Sequence, residues 1–153
     1  MGDVGVLMKK DENLRYTLTM TEEQARVVSR ACELYARLLY GQLDEQNHEL
    51  LLRESREDIC ARRELANDFL MMLKQIYFPG LHGPGHSYGI GHDVVSDRAW
   101  AAYQAIRYTM AWHDHPEGGI GVHFDPPFSY GDEPLPVCQS IDEGSDMRGD
   151  QRS

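Results

Sequence analysis

Apolar side chains recur at helical spacing along three long stretches of the chain. The first stretch begins with a capping-box pattern, Thr21 and Gln24, and its apolar positions follow the repeat of an amphipathic helix: Val28, Ala31, Cys32, Tyr35, Leu38 and Leu39. Gly41 is predicted to kink or end this helix. Leucines at positions 43, 50, 51 and 52 indicate that helix resumes or persists towards residue 52.

Two further helices are predicted from their start signals and their apolar periodicity. The second follows the capping pair Ser55 and Asp58 and runs to about Tyr77, where a Pro-Gly pair ends it. The third follows Ser96 and Asp97 and ends near a Pro-Glu-Gly-Gly turn. One of its faces carries an apolar set: Ala99, Ala102, Tyr103, Ile106 and Met110.

Two short stretches alternate between apolar and polar residues instead, as half-buried strands do. They lie at residues 14–18 and 120–124, and we expect them to pair. The predicted fold class is mainly α within an α+β arrangement: three amphipathic helices, a small two-stranded antiparallel element and a glycine-rich loop between the second and third helices. We expect a flexible N-terminus over 1–13, one globular domain over 14–136 and an acidic, disordered tail over 137–153.

Length and charge narrow the class of protein. A chain of 153 residues suits one domain, and three amphipathic helices in so short a chain leave apolar stripes to cover, so we expect a homo-oligomer, most simply a symmetric dimer. The net charge of −10 repels duplex nucleic acid and anionic membranes. No apolar run reaches the roughly 20 residues of a membrane span. The lack of a signal-peptide core and an odd number of cysteines favour a cytoplasmic location.

The glycine-rich loop, PGLHGPGHSYGIGHDVV from 79 to 95, is the main candidate site. Glycines are costly to order unless the backbone needs unusual angles or close approach, and the loop leads into a helix that carries aromatic and basic residues. Three loop glycines would admit a ligand, two aromatic rings would stack on a base, and a histidine and an arginine would contact phosphate. The predicted ligand-binding set is Phe78, Gly83, Gly85, His86, Ser87, Tyr88, Gly89, Trp100, Tyr103 and Arg107.

Two catalytic alternatives compete with ligand binding. In an extended segment His113 and His115 would point the same way and, with His123, could hold the zinc ion of a metal-dependent hydrolase. Histidines also cap helix ends, which is the simpler interpretation of this cluster. Ser87 lies in a Gly-His-Ser-Tyr-Gly sequence, but a nucleophile elbow needs a strand before the serine, and here a helix precedes it.

Four stretches together resemble small proteins encoded by phages and prophages of gut and Gram-positive bacteria: TMTEEQARVVSRACELYARLLYGQLDE, FPGLHGPGHSYGIG, DRAWAAYQAIRYTMAWHDHPEGG and FSYGDEPLPVC. The resemblance spans about residues 17–138 and implies expression in an infected bacterial cell. It transfers no catalytic residue.

Some small accessory phage proteins sequester cyclic-nucleotide or ADP-ribose-type signals of host immunity. By analogy we expect a non-enzymatic protein that binds such a signal, needs no cofactor and counteracts host defence. A protein inhibitor that masks a host defence effector through its acidic surface is the other non-catalytic hypothesis.

Overall fold

Helices make up most of the regular structure in the computed structural model, which describes residues 14–51 and 59–141. The elements are α1 (Glu22–Leu39), α2 (Asp44–Leu51), α3 (Ile59–Tyr77), α4 (Val94–Asp114) and a 3₁₀ turn (Val122–Phe124). The mainly α prediction is confirmed. The second and third predicted helices correspond to α3 and α4, and the first divides into α1 and the short α2.

Local chemistry explains both ends of α1. The Thr21 side chain accepts a hydrogen bond from the Gln24 amide at 3.3 Å, and the Gln24 side chain accepts one from the Thr21 amide at 3.0 Å, as the capping-box pattern predicted. At the other end Gly41 has φ +78°, and a Cβ atom there would lie 2.6 Å from Leu81 Cδ1. Glycine at 41 therefore ends the helix and lets the loop after α3 pack against the turn.

The centre of the fold is an antiparallel pair formed by α1 and α4. At one end the Tyr40 hydroxyl donates to Asp97 at 3.1 Å, and at the other end Arg26 donates to Asp114 at 3.0 Å. The small side chain of Ala36 is fully buried between them, so the two helices approach closely. The described apolar core is small: Ala36, Tyr40, Leu43, Leu81, Ala105 and Ile106.

Helix α2 joins this pair to α3 through polar contacts. Ion pairs connect Arg30 to Glu49 at 2.9 Å and Arg37 to Glu45 at 3.4 Å, which ties α2 to α1. On its other side Asn47, which is buried, donates to the Asn67 side chain of α3 at 2.7 Å. Among the described helices α3 contacts only α2. None of the helices in the described part is both long and apolar enough to cross a bilayer.

The chain after α4 packs back along that helix without forming a strand. Gln104 donates to the Phe128 carbonyl at 3.3 Å, and Thr109 donates to the Cys138 carbonyl at 3.0 Å. These two hydrogen bonds hold the chain after α4 against that helix. They also extend the packed chain to Cys138, two residues beyond the predicted end of the globular domain at residue 136.

The predicted strand pair is absent from the described residues. Residues 14–20 have no regular structure, and Val122–Phe124 form a 3₁₀ turn. Gly121 has φ +121°, which bends the backbone, and the Phe124 ring packs edge-on against Trp112 at 5.6 Å. Phe124 therefore anchors this turn on the end of α4, whereas Ile120 and Val122 are exposed. The predicted flexible segment 1–13 and residues 142–153 of the predicted tail lie outside the described residues.

Candidate functional site

A buried lysine holds the glycine-rich loop, residues 78–93. Lys74 is 2% exposed, and its ammonium group donates to the carbonyl oxygens of Pro84, at 3.4 Å, and of His86. The charge-assisted hydrogen bonds fold the loop over the C-terminal part of α3. Lys74 therefore positions the candidate site, and the sequence interpretation missed it. The available signal was its position inside the apolar run of residues 69–77, where a lysine is out of place.

The other end of the loop is fixed to the turn after α1. The Tyr88 amide donates to the Tyr40 carbonyl at 2.9 Å, and the Gln42 side chain donates to the Ser87 hydroxyl at 3.1 Å. Ser87 is therefore engaged by an amide group, which does not activate a nucleophile. Hydrogen bonds at both ends therefore fix the position of the loop.

Several backbone N–H groups of the loop are already committed inside the protein. The amides of His86 and His92 donate to loop carbonyls at 3.4 and 3.2 Å, and the Gly91 amide donates to the Asp97 carboxylate at 2.9 Å. With the Tyr88 amide, these four donors are directed to acceptors in the fold. The predicted anion cradle can use only the remaining N–H groups.

Four of the loop glycines divide into two kinds. Gly83 and Gly91 have φ values of +95° and +89°, so the backbone itself requires glycine there. Gly85 and Gly89 lie outside the left-handed region, and a Cβ atom at either position would meet nothing within 4 Å. The described chain therefore gives no reason for glycine at 85 and 89. Open space in front of them leaves room for a molecule from outside.

Aromatic rings occupy both the loop and the start of α4. The Tyr88 ring stacks on the His92 ring, with 3.6 Å between ring centres. The Phe78 ring lies edge-on to Tyr88, with 6.3 Å between ring centres. Tyr40, whose carbonyl holds Tyr88, places its own ring 6.4 Å from Trp100. Tyr40 therefore connects the loop residues to those of the helix.

The aromatic and basic residues predicted on α4 lie along one edge of that helix. The Trp100 and Tyr103 rings are 5.1 Å apart, and the Arg107 guanidinium lies over Tyr103 at 5.4 Å. Arg37 of α1 lies over the Trp100 ring at 5.7 Å. Two arginines therefore make cation–π contacts with neighbouring rings, each of a kind that contributes about 0.5–1 kcal/mol at an exposed position.

Arg30, Arg37 and Arg107 lie near Tyr103, and they differ in whether they are paired with a carboxylate. Glu33 accepts hydrogen bonds from Arg30 at 2.7 Å and from Arg37 at 2.9 Å. By contrast, the Nε and Nη1 atoms of Arg107 are buried and have no hydrogen-bond partner in the described structure. Burial raises the pKa of the Tyr103 hydroxyl, Glu33 adds to this rise and the arginines oppose it. Tyr103 therefore lies among charges of both signs, and burial is the main reason that its hydroxyl resists ionisation.

A second unpaired atom lies one turn away on the same helix. The side-chain carbonyl of Gln104 is buried and accepts no hydrogen bond in the described structure, although its amide nitrogen donates to Phe128. Gln104 was not among the predicted ligand-binding residues. A glutamine near an arginine is common on helices, so the sequence carried no signal for it.

The predicted ligand-binding residues do not all surround one point. Trp100 lies near the turn after α1, whereas Arg107 is two turns further along α4, about 10 Å by helical rise. The structure thus separates a loop group around Tyr88 from a helix group around Arg107, with Tyr40 between them. Phosphate contacts by His86 and by Arg107 would involve different parts of a ligand.

The histidines of the metal alternative do not assemble into a ligand set in the described structure. His113 lies 3.4 Å from Asp114, and His115 lies 3.4 Å from Glu117, while His123 is on the 3₁₀ turn. Within residues 14–51 and 59–141 no three histidine, cysteine, aspartate or glutamate side chains are placed to hold a metal ion.

A depression of about 330 Å³ opens between α2 and α3, and none of its lining residues belongs to the predicted ligand-binding set. Its lining is polar and contains two carboxylates and one guanidinium: Asp44, Glu45, Arg63 and Asn67. Opposite charges on its walls favour mutual pairing over binding of an ion of either sign.

No protein-family model, curated protein or solved structure matches this chain. The function is therefore argued from the side chains themselves.

Proposed function

We propose that the protein is a non-enzymatic binder of a small nucleotide-like anion, which it holds at the edge of α4 formed by Trp100, Tyr103, Gln104 and Arg107. The residue that supports this most is Arg107. Its two buried nitrogens lack acceptors, whereas Arg30 and Arg37 nearby are paired with Glu33. An anion bound to Arg107 would provide the hydrogen-bond acceptors that the described chain does not.

Energetics explain why this unpaired guanidinium points to a ligand. Leaving a buried donor unsatisfied costs about 1–3 kcal/mol, and more when the group is charged. The cation–π contact with Tyr103 offsets part of that cost. A guanidinium donates charge-assisted hydrogen bonds to phosphate or carboxylate oxygens, so an oxyanion is the natural complement.

The unpaired acceptor on Gln104 favours a ligand that also carries N–H or O–H donors. Residues three apart on a helix lie on the same side of it, so the buried Gln104 oxygen and the buried Arg107 nitrogens place one acceptor and two donors on one side of α4. A nucleotide has an anionic phosphate, a hydrogen-bonding base and a ring that stacks on tryptophan or tyrosine. Inorganic phosphate would satisfy Arg107 alone.

The glycine-rich loop would line the adjoining part of the site through Tyr40. Gly85 and Gly89 leave the loop surface open, and the buried ammonium of Lys74 lies behind it. Through the resemblance to phage proteins, the ligand would be a cyclic nucleotide or an ADP-ribose derivative that signals host immunity. Sequestering that signal would counteract antiviral defence inside the infected cell.

Calorimetry with cyclic dinucleotides, cyclic trinucleotides and ADP-ribose isomers tests this proposal. We expect saturable binding of at least one of them, and a loss of affinity of at least about tenfold in Arg107→Gln, because a hydrogen bond to a charged group contributes about 1.5–3 kcal/mol. Arg98→Gln is the matched control, since Arg98 is exposed and paired with Glu133 on the surface.

Two outcomes would contradict the proposal. One is the absence of binding heat with the whole panel at high protein concentration. The other is equal affinity of wild type and Arg107→Gln, which would move the ligand elsewhere. A protein that binds no nucleotide but captures a host effector through exposed acids would instead support the inhibitor hypothesis.

A further inference from the structure

Helix α3 presents an apolar stripe to solvent. Four of its side chains, Leu65, Phe69, Met72 and Ile76, are between 53% and 71% exposed. Their spacing of four, three and four residues is that of the a and d positions of a coiled-coil seam. Such a stripe is what one helix uses to pack along another helix.

The packing of α3 explains why this stripe points outwards. The opposite side of the helix carries Asn67, which bonds to α2, and Lys74, which holds the loop. Both residues fix the rotation of α3 about its own axis. Among the described helices only α2 contacts it, so α1 and α4 do not cover the stripe.

We propose that the stripe is a homodimer interface, in which α3 packs antiparallel along α3 of a second copy of this chain. This proposal does not depend on the ligand site at α4. A two-fold axis between Leu70 and Met71 would set Leu65 opposite Ile76, and Phe69 opposite Met72, of the second copy. Each large side chain would then meet another large side chain.

The exposed area suits a dimer of this size. Leu73 and Tyr77 on the same helix are also exposed. The six apolar side chains together present on the order of 600 Å² per copy, if the 150–250 Å² of an aromatic side chain is taken as a guide for all six and each exposes about half of it. Two copies would bury about 1,200 Å², the lower end of specific interfaces.

Charge favours a second copy as the occupant and an antiparallel orientation. Helix α3 carries Arg62, Arg63 and Lys74 against Glu64 and Asp68, so it is slightly basic in a chain of net charge −10. Self-association through α3 therefore joins the two copies at their least acidic helix. Asp68 flanks the stripe. In an antiparallel pair it would lie next to Gln75 of the second copy, whereas in a parallel pair it would lie next to the apolar Leu73.

Sedimentation of the full chain from about 1 µM to about 1 mM, the range in which modest interfaces associate, tests the dimer. We expect a monomer–dimer equilibrium that tightens at high salt, because salt screens the repulsion between two acidic chains. Ile76→Asp should weaken dimerisation at least about tenfold, since it buries a carboxylate in the seam. Val27→Asp on α1 is the matched control, with exposures of 69% for Val27 and 71% for Ile76.

A monomer at every concentration would overturn the proposal, and so would a dimer that Ile76→Asp leaves intact. Cross-linking tests the orientation. Met72→Cys lies close to the proposed axis and should form a disulfide between copies. The native Cys60, which is exposed, would be about 30 Å from its counterpart and should not cross-link. Efficient Cys60 cross-links without Met72→Cys cross-links would exclude the antiparallel arrangement.

Discussion

Helices α3 and α4 have similar lengths, 19 and 21 residues, but opposite relations to the core. Helix α4 buries Ala105 and Ile106 and is covered by α1 on one side and by the following chain on the other. The only buried residue of α3 is a lysine, while its large apolar residues face solvent. Burial in this fold thus depends on which helices are neighbours, and an amphipathic pattern alone does not decide it.

The largest difference between the two helices should appear when an isoleucine is truncated in each. Ile106→Ala empties a buried position and should lower the free energy of unfolding by about 2–4 kcal/mol. Ile76→Ala removes an exposed side chain and should change it by less than about 0.5 kcal/mol at concentrations where the protein is monomeric. Urea denaturation of both variants at low protein concentration measures this. Equal losses would contradict the exposed position of Ile76 in the monomer.

The lysine that α3 buries gives the next largest effect. Lys74→Met keeps the length of the side chain but leaves the Pro84 and His86 carbonyls without their donor, which should cost about 1–3 kcal/mol. Gln75→Met, at the exposed neighbouring position, is the control and should be close to neutral. Increased amide hydrogen exchange confined to residues 78–93 would locate the effect in the loop. Stabilisation by Lys74→Met would show that burying the ammonium costs more than its hydrogen bonds contribute.

A smaller effect, visible only in alkali, concerns the contact between α1 and α4. Burial raises the pKa of Tyr40 from 10 to about 12, with its hydrogen bond to Asp97 acting in the same direction. Between pH 10 and 12 the unfolded chain loses this proton while the folded protein keeps it, so stability falls as pH rises. Tyr40→Phe should lose less stability than wild type across this window.

Stability curves for wild type and Tyr40→Phe, measured below pH 10 and up to pH 12, separate Tyr40 from the other groups that titrate in alkali. Parallel curves would show that the folded and unfolded states release this proton together.

Sequence periodicity predicted the helices because each one carries a repeating apolar set, and it predicted the start of α1 because Thr21 and Gln24 bond only locally. It could not predict which stripes are buried, since that depends on tertiary neighbours. The alternation at 120–124 was misinterpreted because Phe124 packs on Trp112 through a turn at Gly121. Buried unpaired atoms, such as those of Arg107, are visible only once the helices are placed.

The smallest effects should distinguish the two kinds of loop glycine. Gly83→Ala forces a side chain into φ +95° and should cost about 1 kcal/mol. Gly89→Ala meets open space and should be neutral, or stabilising by about 0.4–1 kcal/mol because it restricts the unfolded chain. Opposite signs in urea denaturation would show that the fold needs glycine at 83 but not at 89. If Gly89→Ala then weakens nucleotide binding without loss of stability, ligand binding and not folding requires glycine at position 89.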